Sequence, residues 1–183
     1  MVMRMLEVGG ISPLTDDLRT ADDDNPNGYY EFERVKKLNQ GDTAWLSKAR
    51  GKAIKVVAPL LLKLPSMYEY RVLFMRRKTE EILASQARML EHRGEQKKVD
   101  DNTLAVLFQQ HIENIQTWMS NQSNFRCLVV DYNAMFTNSG HQIDQMKGFL
   151  GGQLNGDAMV AVCDPGLYHQ RHSTLPLQPS RIV

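Results

Sequence analysis

The apolar positions change period along the chain. Residues 2–8 carry Val2, Met5 and Leu6 at helical spacing, and Gly9-Gly10 closes the run, so a helix already under way at Met1 is expected. Residues 11–31 are rich in turn formers and acids, with Asp22-Asp23-Asp24-Asn25-Pro26-Asn27-Gly28 at their centre, and read as a long surface loop. A helix is expected from about Glu33, marked by Val35, Leu38, Trp45 and Leu46. Unbroken apolar, β-branched runs then stand at 53–62, where Pro59 closes the strand, at 71–75 and at 127–130. Strands without polar alternation point to a sheet buried on both faces, hence to parallel pairing. Helical periodicity separates them. Leu83, Ala87 and Leu90 share a face in 79–92. Leu104, Leu107, Phe108, His111, Ile112, Ile115, Trp118 and Met119 form a stripe in 102–121, and Ile143, Met146 and Leu150 repeat it in 139–150. Strands alternating with helices predict an α/β fold: three layers, a mostly parallel sheet flanked by helices, with right-handed crossovers. One domain over 1–172 is expected, with 173–183, which carry two prolines and no periodicity, as a loose tail.

Composition narrows the function classes. Twenty-two basic and 21 acidic side chains leave a net charge of +1, which does not suggest a general nucleic-acid surface. An anion site must therefore be local and built by few residues. The two cysteines, Cys127 and Cys163, lie in apolar runs and read as buried reduced thiols. No apolar run approaches the roughly 20 residues of a membrane span. The expected compartment is the cytoplasm, with no membrane partner.

The densest candidate chemistry lies in 70–90, Y-R-V-L-F-M-R-R-K-T-E-E-I-L-A-S-Q-A-R-M-L, where an apolar strand runs into Arg76-Arg77 and Ser85 follows on the next helix. In a parallel sheet ligands sit at the carboxyl ends of strands. A guanidinium placed there can bind a phosphate bidentately, and Ser85 can add a hydroxyl donor. Arginines after strands also pair with carboxylates, and Glu80 and Glu81 stand close by. Spacing alone favours that pairing. Cys163, His169 and His172 lack the second ligand pair of a zinc site. Asp22-Asp23-Asp24 lacks the glycine and terminal glutamate of a calcium loop. His111 reads as a satisfied core residue, and no metal is expected.

R-x7-S after an apolar strand resembles the 3′-phosphate signature of sulfotransferases. In that family arginine and serine grip the 3′-phosphate of 3′-phosphoadenosine-5′-phosphosulfate (PAPS). I-K-V-V-A-P-L-L-L-K-L-P at 54–65, L-V-V-D-Y-N-A-M-F at 128–136 and F-L-G-G at 149–152 resemble further family segments in the same order. D-N-P-N-G-Y-Y-E-F-E at 24–33, M-R-R at 75–77, A-S-Q at 84–86 and D-P-G-L-Y-H-Q-R at 164–171 are similar to a bacterial sulfotransferase-like group. The resemblance implies a P-loop NTPase-like fold and transfer of a sulfuryl group from PAPS to an acceptor hydroxyl or amine. It implies Arg77, Ser85, Arg76 and Arg171 as nucleotide contacts. Glu31 would be the acceptor base, and Lys55 would neutralise charge on the bridging oxygen. Three departures accompany it. Val57 stands where cytosolic members carry a catalytic histidine, and N-A-M rather than E-D-L follows Tyr132. The family's opening strand and P-R-S-G-T-S-like loop, which hold the 5′-phosphosulfate, have no match, so an amino-terminally incomplete fold is expected. Alternatives are a non-catalytic remnant acting by binding or by self-association through an exposed sheet edge, and a P-loop kinase-like phosphotransferase.

Overall fold

The computed structural model describes residues 1–16, 18–19, 28–92, 94 and 99–163. Six α-helices and two strands lie among them: α1 Val2–Val8, β1 Tyr70–Arg76, α2 Thr79–His92, α3 Asp101–Ser120, β2 Phe125–Asp131, α4 Ala134–Thr137, α5 Ser139–Leu150 and α6 Gly156–Ala161. Three 3₁₀ segments, Glu33–Gln40, Ala44–Ala49 and Ala58–Lys63, fill the region between α1 and β1. The expected tail 173–183 and the 164–171 motif lie outside the described residues, as do Asp22 to Asp24, His169 and His172.

β1 and β2 pair in parallel, in register from Tyr70 opposite Phe125 to Arg76 opposite Asp131. Alternation then sorts their side chains. Leu73, Leu128 and Val130 face a core made with Met5 and Leu6 of α1, Met135 of α4, Ile143 and Met146 of α5, and Met159 of α6. Val72, Phe74 and Phe125 face Ile115 and Met119 of α3, with Leu61. The fold is α/β in three layers, helices above and below a small parallel sheet. A third cluster, Val35, Leu38, Trp45, Leu46 and Leu60, packs the 3₁₀ segments on one another.

Several expectations need correction. Residues 53–62 do not form a strand. Ala53 makes one isolated parallel bridge with Pro13, donating to Ser12 O and accepting from Leu14 N. The chain then turns into a 3₁₀ helix with Pro59 in its first turn, where the missing N–H costs nothing. The helix expected from Glu33 is two 3₁₀ segments, broken at Gly41, whose φ of 82° only glycine adopts freely. The sheet is not buried throughout, because Met75 and Val129 stay 38% and 42% exposed at its carboxyl end. Cys127 is an exposed free thiol and Cys163 a half-buried one. On α3, His111 is exposed and Leu107 is 53% exposed, while Ile115 and Met119 nearer its end are buried against the sheet.

A groove of about 920 Å³ runs between β1 and the extended segment 53–56, lined by Ala53, Ile54, Val56, Leu73 and Met75 among others. Tyr70 N and Arg76 O bond toward the β2 side, so strand alternation turns the backbone groups of Arg71, Leu73 and Met75 to the groove. Among the described residues those three make no backbone hydrogen bond outside β1.

Candidate functional site

The carboxyl ends of β1 and β2 are tied together by one buried carboxylate. Arg77, the residue after β1, donates from Nε to Glu81 Oε2 at 2.9 Å. Glu81, in the first turn of α2, is 3% exposed. Its other oxygen accepts from Asn133 Nδ2 at 2.8 Å, just after β2. Asn133 Oδ1 accepts in turn from the Lys78 N–H, and Asp131 Oδ1 accepts from the N–H groups of Asn133 and Ala134. The Arg77 guanidinium carbon lies 4.9 Å from the Tyr132 ring centroid, a cation–π distance. Burial pushes the Tyr132 hydroxyl above the ordinary tyrosine value, with the Arg77 charge opposing it.

The carboxylate pairing read from the sequence is thus made, by Glu81; Glu80 is exposed. Glu81 and Ser85, four residues apart in α2, fall on one side of the helix, and Arg77, which precedes the helix, is tied to that side by its bond to Glu81. Ser85 is exposed two turns into α2. Arg76 is exposed at the last position of β1, opposite Asp131. Arg171 lies outside the described residues.

Glu31 and Lys55 are brought together. Lys55 Nζ reaches Glu31 Oε1 at 3.3 Å and the Tyr29 carbonyl at 3.2 Å. Arg19 approaches the same oxygen at 3.5 Å, and Lys36 approaches Oε2 at 3.6 Å. Burial pushes the Glu31 carboxyl up. Lys55, by charge and hydrogen bond, then Lys36 and Arg19 outweigh it and hold the group below the usual carboxylate range. The loop is shaped locally: Tyr30 takes a left-handed φ of 52° and its hydroxyl donates to Glu7 at 2.6 Å. Thr15 Oγ1 and Asp16 N donate to the Glu31 carbonyl, and Asp16 Oδ2 accepts from the Glu33 N–H at 2.6 Å. Arg19 also stacks 3.4 Å from the Tyr29 ring centroid.

The sequence reading missed Arg19, Lys36 and Asn133. Arg19 and Lys36 lie 12 and 5 positions from Glu31, and neither separation is a helical or strand repeat, so no period links them. Asn133 stands 52 positions from Glu81 and meets it only through the parallel register.

A second groove, about 690 Å³, lies between α2 and α3 and is lined by Leu83, Ala87, Ala105 and Val106 among others; neither Arg77 nor Glu31 lines it. Among the described residues no cluster of His, Cys, Asp and Glu is placed to hold a metal, and no helix is long and apolar enough to cross a membrane. No family model, curated protein or solved structure matches the chain.

Proposed function

We propose that the chain is a sulfotransferase-like protein of P-loop NTPase-like architecture that binds PAPS by its 3′-phosphate and directs sulfuryl transfer to an acceptor hydroxyl or amine. The observation that supports this best is a half-buried guanidinium, Arg77, just past the carboxyl end of a parallel strand, with Ser85 one turn beyond its partner Glu81 on the following helix. That is where a phosphate meets donors in parallel α/β folds. Arg77 and Ser85 would hold the 3′-phosphate, with Arg76 and Arg171 as outer contacts. The acceptor oxygen would attack sulfur as the bond from sulfur to the 5′-phosphate oxygen breaks. The acceptor proton would pass to Glu31, and the leaving phosphate would keep the electron pair. Glu31, held below the usual range, is ionised at neutral pH, and the cations that hold it there also weaken it as a base. Lys55, 3.3 Å from it, supplies the neighbouring positive charge.

The saturation of Glu31 by three cations also favours a second reading, a protein that binds the nucleotide without turning it over. In that reading the edge of β1 that pairs with no strand among the described residues serves self-association. Assay of sulfuryl transfer from PAPS to a phenol or amine separates the two, since binding without transfer leaves only the second.

The binding test is calorimetry with adenosine 3′,5′-bisphosphate against adenosine 5′-phosphate. Arg77→Ala should weaken the bisphosphate about ten- to a hundredfold, the roughly 1.5–3 kcal/mol of a charge-assisted contact. Ser85→Ala, which disturbs no buried charge, is the companion variant and should lose several-fold. Equal affinity for the two nucleotides in the wild type, or no loss in Arg77→Ala, would reject the 3′-phosphate site.

A further inference from the structure

We propose that Glu81 and Tyr132 are positioning residues that present Arg77 as a receptor for a tetrahedral oxyanion; the inference rests on the reading that Arg77 meets the 3′-phosphate of the nucleotide. A free arginine side chain samples many rotamers, and ordering it costs affinity each time a ligand binds. Here that ordering is done in advance. Glu81 takes only the Nε hydrogen of Arg77, and the Nη1 and Nη2 donors have no hydrogen-bond partner among the described residues. Nε to a carboxylate along one edge leaves the terminal nitrogens as a second fork, which matches two oxygens of a phosphate. The Arg77 guanidinium carbon also lies over the Tyr132 ring, 4.9 Å from its centroid.

Glu81 is itself fixed. It is almost wholly buried, and Asn133 holds its second oxygen at 2.8 Å. Asn133 is set by Asp131 at the end of β2, and the Lys78 N–H binds back to it. The chain of contacts therefore runs from both strand ends to one guanidinium. A carboxylate placed only to neutralise Arg77 would not need this support. Glu81 and Ser85 lie four residues apart on one side of α2, so the carboxylate that holds Arg77 sits on the side of the helix that carries Ser85.

The test uses the whole chain, with ¹⁵N NMR of the Arg77 Nε–H and calorimetry with adenosine 3′,5′-bisphosphate and adenosine 5′-phosphate. In the wild type the Nε–H should be resolved and protected from exchange before any nucleotide is added. Glu81→Gln should lose that protection and about tenfold in bisphosphate affinity, with adenosine 5′-phosphate unchanged. A merely structural defect would weaken both nucleotides alike. Tyr132→Leu should lose several-fold and Tyr132→Phe nothing. Should Glu81→Gln fail to fold, Asn133→Ala loosens Glu81 while keeping its charge, and the same selective loss, smaller, is expected. Bisphosphate binding by Glu81→Gln or Asn133→Ala that is undiminished, while Arg77→Ala loses it, would overturn the positioning role and leave the 3′-phosphate reading intact. Arg77→Ala binding like the wild type would remove both.

Discussion

At the scale of single residues, the two candidate centres use ion pairs in different surroundings. Arg77 and Glu81 meet where water is largely excluded, so removing either leaves a costly orphan. Glu31 is 21% exposed and meets Lys55, Lys36 and Arg19, which are 43%, 61% and 50% exposed, so solvent screens these contacts. The sign of the pH effect follows from the depressed Glu31 carboxyl. A group whose folded value lies below its unfolded one adds stability above the unfolded value, here about 4.5, and loses it as pH falls through the folded value. Glu31→Gln should therefore be less stable than wild type at pH 7, by no more than about 1 kcal/mol given the exposure of its partners. Urea unfolding between pH 3 and 7 should show the difference closing below pH 4.5. A gap that persists at pH 3 would mean that the cations are not its source.

At the scale of elements, α1 and α6 approach closely enough to forbid a side chain. A Cβ on Gly9 would lie 2.8 Å from Met159 Sδ and 2.9 Å from the Met5 carbonyl. Both Met5 and Met159 are fully buried, and one of the obstructing atoms is backbone, so the clash has no cheap relief. Gly9 has an ordinary helical φ of −73°, which makes packing rather than backbone freedom the reason for glycine. The Asn155 N–H donates to the Gly9 carbonyl, and Asn155 also caps α6, so displacement of Gly9 reaches both helices. Gly9→Ala should cost about 1–3 kcal/mol in chemical denaturation, the range of overpacked cores. A loss under a few tenths would show that α6 shifts freely. At the other end of the sheet, Arg71 Nη1 donates to the carbonyls of Phe149 and Leu150, where α5 ends at Gly151 with φ 72°. That contact satisfies helix-terminal acceptors with a cation and secures α5 across β1.

At the scale of the whole molecule, one edge of the sheet faces an apolar groove. A strand edge with unpaired donors and acceptors is a template for another chain. Val57 and Met75, 59% and 38% exposed, add apolar surface near it. The purified 183-residue chain should therefore associate with rising concentration in sedimentation velocity. Met75→Lys, a charge on the edge strand, should shift the distribution toward monomer without changing the circular dichroism spectrum. A wild type that stays monomeric at high concentration would exclude the edge as an interface.

Local pattern determined much of this molecule. Helices at 2–8, 79–92, 101–120 and 139–150 and strands at 70–76 and 125–131 follow periodicities of 3.6 residues or apolar runs that their own residues carry, and they stand within a residue or two of where the pattern puts them. The parallel α/β layering follows too, because strands separated by helices have few other ways to bury both faces. Residues 53–62 mark the limit. Their composition suits a strand, but a strand is a pairing, and among the described residues only Pro13 bridges to Ala53. The candidate sites divide in the same way. Glu81 and Ser85 share a helical side through spacing alone, and the pairing of an arginine after the strand with a nearby carboxylate was legible in the sequence. That Asn133 and Tyr132 complete that cluster was decided by the register of β1 on β2, and that Glu31 draws three cations was decided by the packing of residues 29–31 against Lys55. Contacts within a turn of helix are set by bond geometry. Contacts across 24 or 52 positions exist only when the packed layers close the distance.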